Sequence, residues 1–446
     1  MDFKEINWEE VKREAASYLS DLIKINTTNP PGNETPAAQY IAKILEKEGL
    51  KAEILEKDKG RGNLITRLEG EDKDSLLLLS HLDVVPAEKE RWLVNPFSGE
   101  IKSNYIWGRG AIDCKSLVIN ELMTLLLLRR NKIKLKRKLI VAFCADEEEG
   151  GEKGVEWLVK THYDKIKADY VINEGGGIEV PINNKHFYIC QTAEKGICWL
   201  RLKAKGTPGH ASIPTEDNAV IHLSKALHRI SNFQPPLKGT ATMKQMIKEI
   251  ANKERFPQSF LLKLLTNSLL GPLILRGIKE KGLVQLLNAL LHNTFVPTVL
   301  RGGNKTNVLP SQCEAEVDCR LLPGETAEGV VKELKKVVEN TKIDIEVFES
   351  HPATESSYRT PLFSTIQEVL SLFEPSAKII PFMLSGATDS RFLREKGIIS
   401  YGFAPFKAEV PLEEYQKMIH GVNERISLKN LTFGTKVLFE IVRRFC

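Results

Sequence analysis

From Trp8 to about Glu174, helical stretches alternate with short runs that are continuously apolar rather than alternating, among them Ser75 to Ser80, Lys138 to Ala145 and Ala168 to Asn173. A strand with one face in water alternates apolar and polar residues. A continuous run is what a strand buried on both faces of a mostly parallel sheet requires. The pattern predicts an α/β domain with helices on both faces of a mixed, mostly parallel sheet. Near Glu194 the texture changes. Gly196 to Lys205 alternates, a helix fits Asn218 to Ile230, and strands fit Thr298 to Arg301 and Cys313 to Leu322. A helix over Ala327 to Asn340 and a strand over Ile343 to Phe348 complete a small two-layer α+β domain. A helix over Pro361 to Phe373, a strand over Ile398 to Phe403 and a closing helix over Arg425 to Phe445 then resume the first pattern. The expected plan is one domain built from residues 1–194 and 351–446, interrupted by a second over 195–350. Within the insertion, residues 234–293 are Leu-rich and helical with scattered lysines. They read as a core-packing helical pair rather than an acyl-chain or membrane-facing surface.

A chain of 446 residues with 42% hydrophobic and 27% charged residues has the composition of a folded globular protein and the length of two domains. The net charge of +5 is dispersed, without the Lys/Arg block that would track a phosphate backbone, so nucleic acid is not an expected partner. Apolar runs such as Leu122 to Leu128 and Leu269 to Leu275 are too short to cross a bilayer. The first residues, Met1 to Glu5, lack the basic and apolar regions of a signal peptide. The seven cysteines form no C-x-x-C pair and are odd in number, which suits buried reduced thiols and a cytoplasmic location.

Chemistry concentrates at the ends of the predicted strands. His81-Leu82-Asp83 follows the Ser75 to Ser80 run, where ligands bind in open α/β sheets. Alone, it describes a structural histidine paired to an acid better than a metal ligand. It is joined by Gly108 to Asp113, by Asp146-Glu147-Glu148-Glu149-Gly150-Gly151 and by Asn173-Glu174-Gly175-Gly176, each placed at a further strand end. Carboxylates crowded into one crevice repel one another unless cations neutralise them or some bind protons. Histidine with carboxylate and no cysteine suits zinc, with manganese or cobalt as alternatives, in a hydrolytic role. There is no G-x-S-x-G elbow and no P-loop.

On these clusters the sequence resembles the dinuclear zinc aminoacylase and carboxypeptidase family, which includes acetylornithine deacetylase, succinyl-diaminopimelate desuccinylase, glutamate carboxypeptidase and carnosinase-like dipeptidases. The resemblance extends over nearly the whole chain. It includes Gly206-Thr207-Pro208-Gly209-His210-Ala211-Ser212, Gly302 to Pro310, Asp318-Cys319-Arg320, Gly386 to Arg391 and Ile419-His420-Gly421-Val422-Asn423-Glu424.

The resemblance implies a zinc-peptidase-like catalytic domain with an inserted lid and dimerisation domain. It implies two divalent ions bridged by Asp113, one also held by His81 and Glu174, the other by Glu148 and His420. Glu147 would be the general base, and Asp83 would accept the second ring N–H of His81. His210 would stabilise the oxyanion from a partner subunit's lid. Asn307, Arg320 and Arg391 match positions near the substrate, and an arginine fork suits a terminal carboxylate. Without the resemblance, His210 reads as a loop histidine. Glu149 takes no role; Cys114 and Ser116 depart from the residues usual beside the bridging aspartate. The expected activity is hydrolysis of N-acyl amino acids or short peptides with a free carboxylate by a homodimer. Alternatives are another two-metal hydrolase such as a phosphatase, or a binding protein without turnover.

Overall fold

The computed structural model describes residues 6–183 and 185–446, which divide into two compact units. The first runs to Thr192 and resumes over Ser356–Phe382 and Thr388–Cys446; the second comprises Ala193–Glu355 and Met383–Ala387.

The first unit is built on a mixed sheet. Its strands follow the order Ala52–Glu56, Gly62–Leu68, Lys138–Cys144, Ser75–His81, Tyr170–Asn173, Ile399–Gly402 and Lys185–Glu194. The four strands from Lys138–Cys144 to Ile399–Gly402 are parallel to one another, and the flanking pairs are antiparallel. The unbroken apolar runs are explained by two cores. Leu76 and Leu78 join Leu139, Val141 and Phe143 in one core with the helices Trp8–Lys24, Lys115–Arg130 and Leu428–Phe445. Leu77 and Leu79 join Ile140, Ala142 and Cys144 in the other, with Val155, Leu158, Phe392 and Leu393. A period of two along each strand thus sends alternate side chains to opposite layers, with no water-facing side to interrupt the run.

The helix Lys115–Arg130 is buried from Lys115 to Leu128. It therefore carries its polar groups inward: the Lys115 ammonium donates to the carbonyls of Leu22 (3.1 Å) and Ile25 (2.8 Å), closing the last turn of Trp8–Lys24. The expected closing helix is shorter than predicted. It begins at Leu428, where the Ser427 hydroxyl accepts from the Asn430 N–H, while Arg425–Ser427 pairs as a strand with Tyr105–Trp107.

The second unit carries a four-stranded antiparallel sheet in the order Thr294–Gly302, Gln312–Leu321, Gly196–Lys205, Ile343–His351. Cys198, Leu200, Leu202 and Ala204 face the same core as Cys313, Ala315, Val317 and Cys319, shared with the helices Ala219–Asn232 and Ala327–Val337. That helix stops at Val337, three residues short of the predicted end, and the first strand starts at Thr294, four residues early. Residues 234–293 form four helices in place of the expected pair. All seven cysteines are free and buried, and no helix among the described residues is long and apolar enough to cross a membrane.

Candidate active site

His81 closes the strand Ser75–His81, Glu147 and Glu148 sit in a single 3-10 turn after Lys138–Cys144, and Glu174 follows Tyr170–Asn173. Three of the four clusters thus lie at carboxyl ends of adjacent parallel strands, as expected. Asp113 does not: its loop leaves Tyr105–Trp107, which belongs to a separate three-stranded sheet with Ile101–Lys102 and Arg425–Ser427. The pairing with Arg425–Ser427 ties the Asp113 loop to the turn that carries His420, and so joins residues three hundred positions apart in sequence.

The two carboxylate oxygens of Asp113 face different histidines. Oδ1 lies 3.1 Å from His81 Nε2, and Oδ2 lies 3.1 Å from His420 Nε2. His420 Nε2 is also 3.1 Å from Glu148 Oε2. Donor atoms of Asp113, Glu148 and His420 all fall within 4.8 Å of one another, as do those of His81, Glu147 and Glu174. Glu147, expected as a base, stands at ligand range beside His81 and Glu174.

The electrostatics fit a cation. Desolvation raises Glu147 well above the usual carboxylate range, with the charge of Glu174 adding to it. Desolvation and the charge of Asp113 push Glu174 up to about 8. Desolvation also raises Glu148, against the hydrogen bond from His420. Hydrogen bonds to Asp113 and Glu148 push His420 up to about 10. Desolvation works to raise Asp113 as well, but the two imidazoles outweigh it and hold the group below the usual range. Divalent ions held by the same oxygens and nitrogens would supply the positive charge that these crowded acids call for. Glu148 Oε1, shielded from solvent without a hydrogen-bond partner, is an acceptor that such an ion satisfies. The donor set is oxygen and imidazole nitrogen, which fits divalent ions of the zinc, manganese and cobalt type.

A buried polar frame, invisible as a motif, sets this geometry. The Asp83 carboxylate accepts the backbone N–H of Glu147 (3.2 Å) and Glu148 (3.1 Å) and the amide of Asn29 (2.9 Å). Its expected partner, His81 Nδ1, is instead closest to the Asp83 carbonyl oxygen at 3.0 Å, with the carboxylate at 3.5 Å. Asp83 thus positions the acidic turn more directly than it orients the imidazole. Asp146, which opens that turn in the left-handed region (φ 72°), accepts from Asn29 (3.1 Å), from the Lys153 N–H (2.9 Å) and from Arg61 (2.6 Å). Arg61 in turn forks onto Glu34 at 2.7 and 2.8 Å. Gly32 (φ 81°) admits the guanidinium, since a Cβ there would stand 2.3 Å from Arg61 Cζ.

A second buried pair shapes the other half. Glu424 accepts the N–H groups of Gly110, Ile112 and Asp113, and pairs with Arg109 at 2.9 Å. Arg109 donates to the carbonyls of His420 (3.3 Å) and Gly421 (2.7 Å), holding a turn in which His420 has φ 57°. Arg109 and Glu424 stand inside sequence motifs, a signal that composition could have turned into a pairing. Asn29, Glu34 and Arg61 carry no comparable signal.

Arg391 belongs to the first unit; its Nη2 donates to the Gly150 carbonyl (2.7 Å) at the end of the acidic turn. His210, Asn307 and Arg320 belong to the second. His210 is exposed and its Nδ1 lies 2.7 Å from Ser212 Oγ. The ribbon pairing Gly209–His210 with Val308–Leu309 brings it beside Asn307, whose carbonyl accepts the Ala211 N–H at 3.0 Å. Arg320 is occupied by Asp318 at 2.8 and 3.0 Å.

The chain is 31% identical to N-fatty-acyl-amino acid synthase/hydrolase PM20D1 of Mus musculus over 82% of its own length and 73% of that protein. It shares the fold of the M20 family metallo-carboxypeptidase Sso-CP2 from Sulfolobus solfataricus, with a TM-score of 0.70 at 20% identity, covering 96% of this chain and 98% of that one. It also shares the fold of the Bacillus subtilis YXEP protein, described as a dinuclear metal binding peptidase, with a TM-score of 0.64 at 13% identity, covering 98% and 99% of the two chains. The profile of peptidase family M20/M25/M40 matches residues 77–444, a span that takes in every one of the converging acids and imidazoles. By that match the chain belongs to peptidase family M20/M25/M40 and is an amide hydrolase of the metallopeptidase and aminoacylase kind.

Proposed function

We propose that this hydrolase cleaves the amide bond of N-acyl amino acids or short peptides bearing a free carboxylate, using two divalent ions, zinc first among them. The observation that carries this reading is the placement of Asp113, whose two oxygens each face a different imidazole at 3.1 Å. In this assignment His81 and Glu174 complete one metal site, and Glu148 and His420 the other. Ions bound there would supply Lewis-acid polarisation of the scissile carbonyl and would acidify water.

The chain's own residues do the rest. Glu147 takes the proton of the attacking water and hands it to the leaving nitrogen, a task for an acid beside the ions rather than consumed by them. Asp83, through two backbone N–H bonds, fixes where that carboxylate stands. Arg391, anchored on Gly150, and Arg320 are the candidates for gripping the substrate carboxylate by a planar fork. His210, with Asn307 beside it, is assigned to the developing oxyanion, delivered by a partner subunit of a homodimer. The relative at 31% identity is named for fatty-acyl amino acids, which supports the N-acyl branch over the peptide branch.

The test is to incubate the metal-loaded protein with N-acyl amino acids of short and long acyl chains, dipeptides and phosphate monoesters, and to identify products by mass spectrometry. Release of free amino acid from the N-acyl substrates is expected. Turnover of phosphate esters with no amide cleaved would overturn the reading.

A further inference from the structure

The Leu-rich stretch of the second unit does not bury what its sequence offers. Its outer helices, Ala241–Asn252 and Lys281–Leu291, do pack, through Met243, Met246 and Ile247 and through Leu287, Leu290 and Leu291. The middle is different. It consists of two seven-residue helices, Gln258–Leu264 and Gly271–Gly277, joined by irregular chain. There Leu269 is 81% exposed, Phe256 80%, Leu273 62% and Phe260 55%, with Leu261 and Leu270 exposed as well. Leu283 and Leu286 extend the set. Of the 19 exposed large apolar side chains among the described residues, eight fall between positions 256 and 286. Single exposed leucines are ordinary, but eight exposed large apolar side chains within one stretch of chain mark a segment with a use other than facing water.

Charge decides what that is. Residues 253–281 hold six basic side chains, Lys253, Arg255, Lys263, Arg276, Lys279 and Lys281, against two acids, Glu254 and Glu280, a net charge of +4. A second copy docked by a two-fold axis would bring this basic stretch against itself. Anionic headgroups neutralise it while the acyl boundary takes the apolar tips, the combination by which short amphipathic segments lie in a bilayer interface. Neither helix is long enough to enter more deeply.

We propose that residues 253–286 form an interfacial anchor that seats the protein on an anionic lipid surface, with Phe256, Phe260, Leu269 and Leu273 entering the headgroup boundary. This stands independently of the substrate reading. The full chain is sedimented with vesicles of phosphatidylcholine alone and of phosphatidylcholine mixed with phosphatidylglycerol, at low and high salt. Binding to the mixed vesicles, weakened by salt and nearly absent on phosphatidylcholine alone, is expected. Phe256→Ser with Leu269→Ser should lower the partition coefficient by at least about thirtyfold, the combined effect of two exposed side chains losing their burial. If that pair fails to fold, Lys263→Glu with Arg276→Glu serves, and should abolish the preference for anionic vesicles. No binding to anionic vesicles, equal binding to both kinds, or unchanged binding by the folded variants would overturn the proposal. So would a lipid-free dimer that the apolar substitutions dissociate, which would make this face a contact between copies.

Discussion

Replacing Arg61 by Met tests whether the buried frame holds the acidic turn. Arg61 is 4% exposed and makes three short charged hydrogen bonds, two to Glu34 and one to Asp146, both of them buried. Breaking a buried ion pair by removing one partner costs about 3–5 kcal/mol, because the other is left uncompensated. Desolvation already raises Glu34, so proton uptake there moderates the loss toward the lower figure. Asp146 keeps Asn29 and the Lys153 N–H, but the turn loses its strongest anchor. Arg61→Met should therefore lower the stability of the first unit by about 3 kcal/mol. Arg61→Met with Glu34→Leu, which also removes the buried carboxylate that held two of the three bonds, should regain at least half of that. Four of the five tryptophans, Trp8, Trp92, Trp107 and Trp157, lie in this unit, so fluorescence-monitored urea unfolding reports chiefly on it. A loss under about 1 kcal/mol, or a double variant no better than the single one, would refute the reasoning.

Lys195 is 2% exposed, donates to the carbonyls of Ala289 and His292 at 3.0 and 2.9 Å, and is brought down to about 7 by desolvation. Between that value and the ordinary lysine value the unfolded chain binds a proton the folded one lacks, so stability rises with pH, by at most about 1.4 kcal/mol per unit. Thermal melts from pH 7 upward should show this rise, and Lys195→Met should lose it; parallel curves would contradict the assignment. If Arg391 or Arg320 grips the substrate carboxylate, methyl esters of cleaved substrates should show a strongly raised KM; equal efficiency for acid and ester would rule the grip out. If His210 acts across a dimer, mixing inactive His210→Ala and Glu147→Ala chains should restore about a quarter of wild-type activity under random exchange. No recovery in verified heterodimers would place His210 in its own chain's site.

How much of this was legible follows from the period of each signal. The runs Ser75 to Ser80 and Lys138 to Ala145 announced doubly buried strands because both alternate faces meet apolar layers. His81, Glu148 and Glu174 were findable because they end such strands. Asp113 lies between His81 and His420, but its loop leaves a sheet that the sequence does not announce, since Tyr105–Trp107 is too short to carry a period and pairs with a strand about three hundred residues away. Arg61, Glu34 and Asn29 escaped because a polar residue within reach of the chain's own loops looks, in sequence, like any solvated one; only the fold shows that it is buried. The Leu-rich stretch misled in the opposite direction, for periodic leucines do not say whether anything covers them.

Glu147 and Glu148 stand in one turn, yet the proposed mechanism has the first move the proton and the second hold an ion. The direct measurement is metal content and single-turnover rate of Glu147→Gln and Glu148→Gln, side by side with the unaltered protein. Two ions per chain are expected in Glu147→Gln, with the rate down by at least about a hundredfold, the lower end of what a general base contributes. Loss of one ion is expected in Glu148→Gln. Full metal in Glu148→Gln together with metal loss in Glu147→Gln, or a Glu147→Gln protein that turns over normally, would contradict that mechanism.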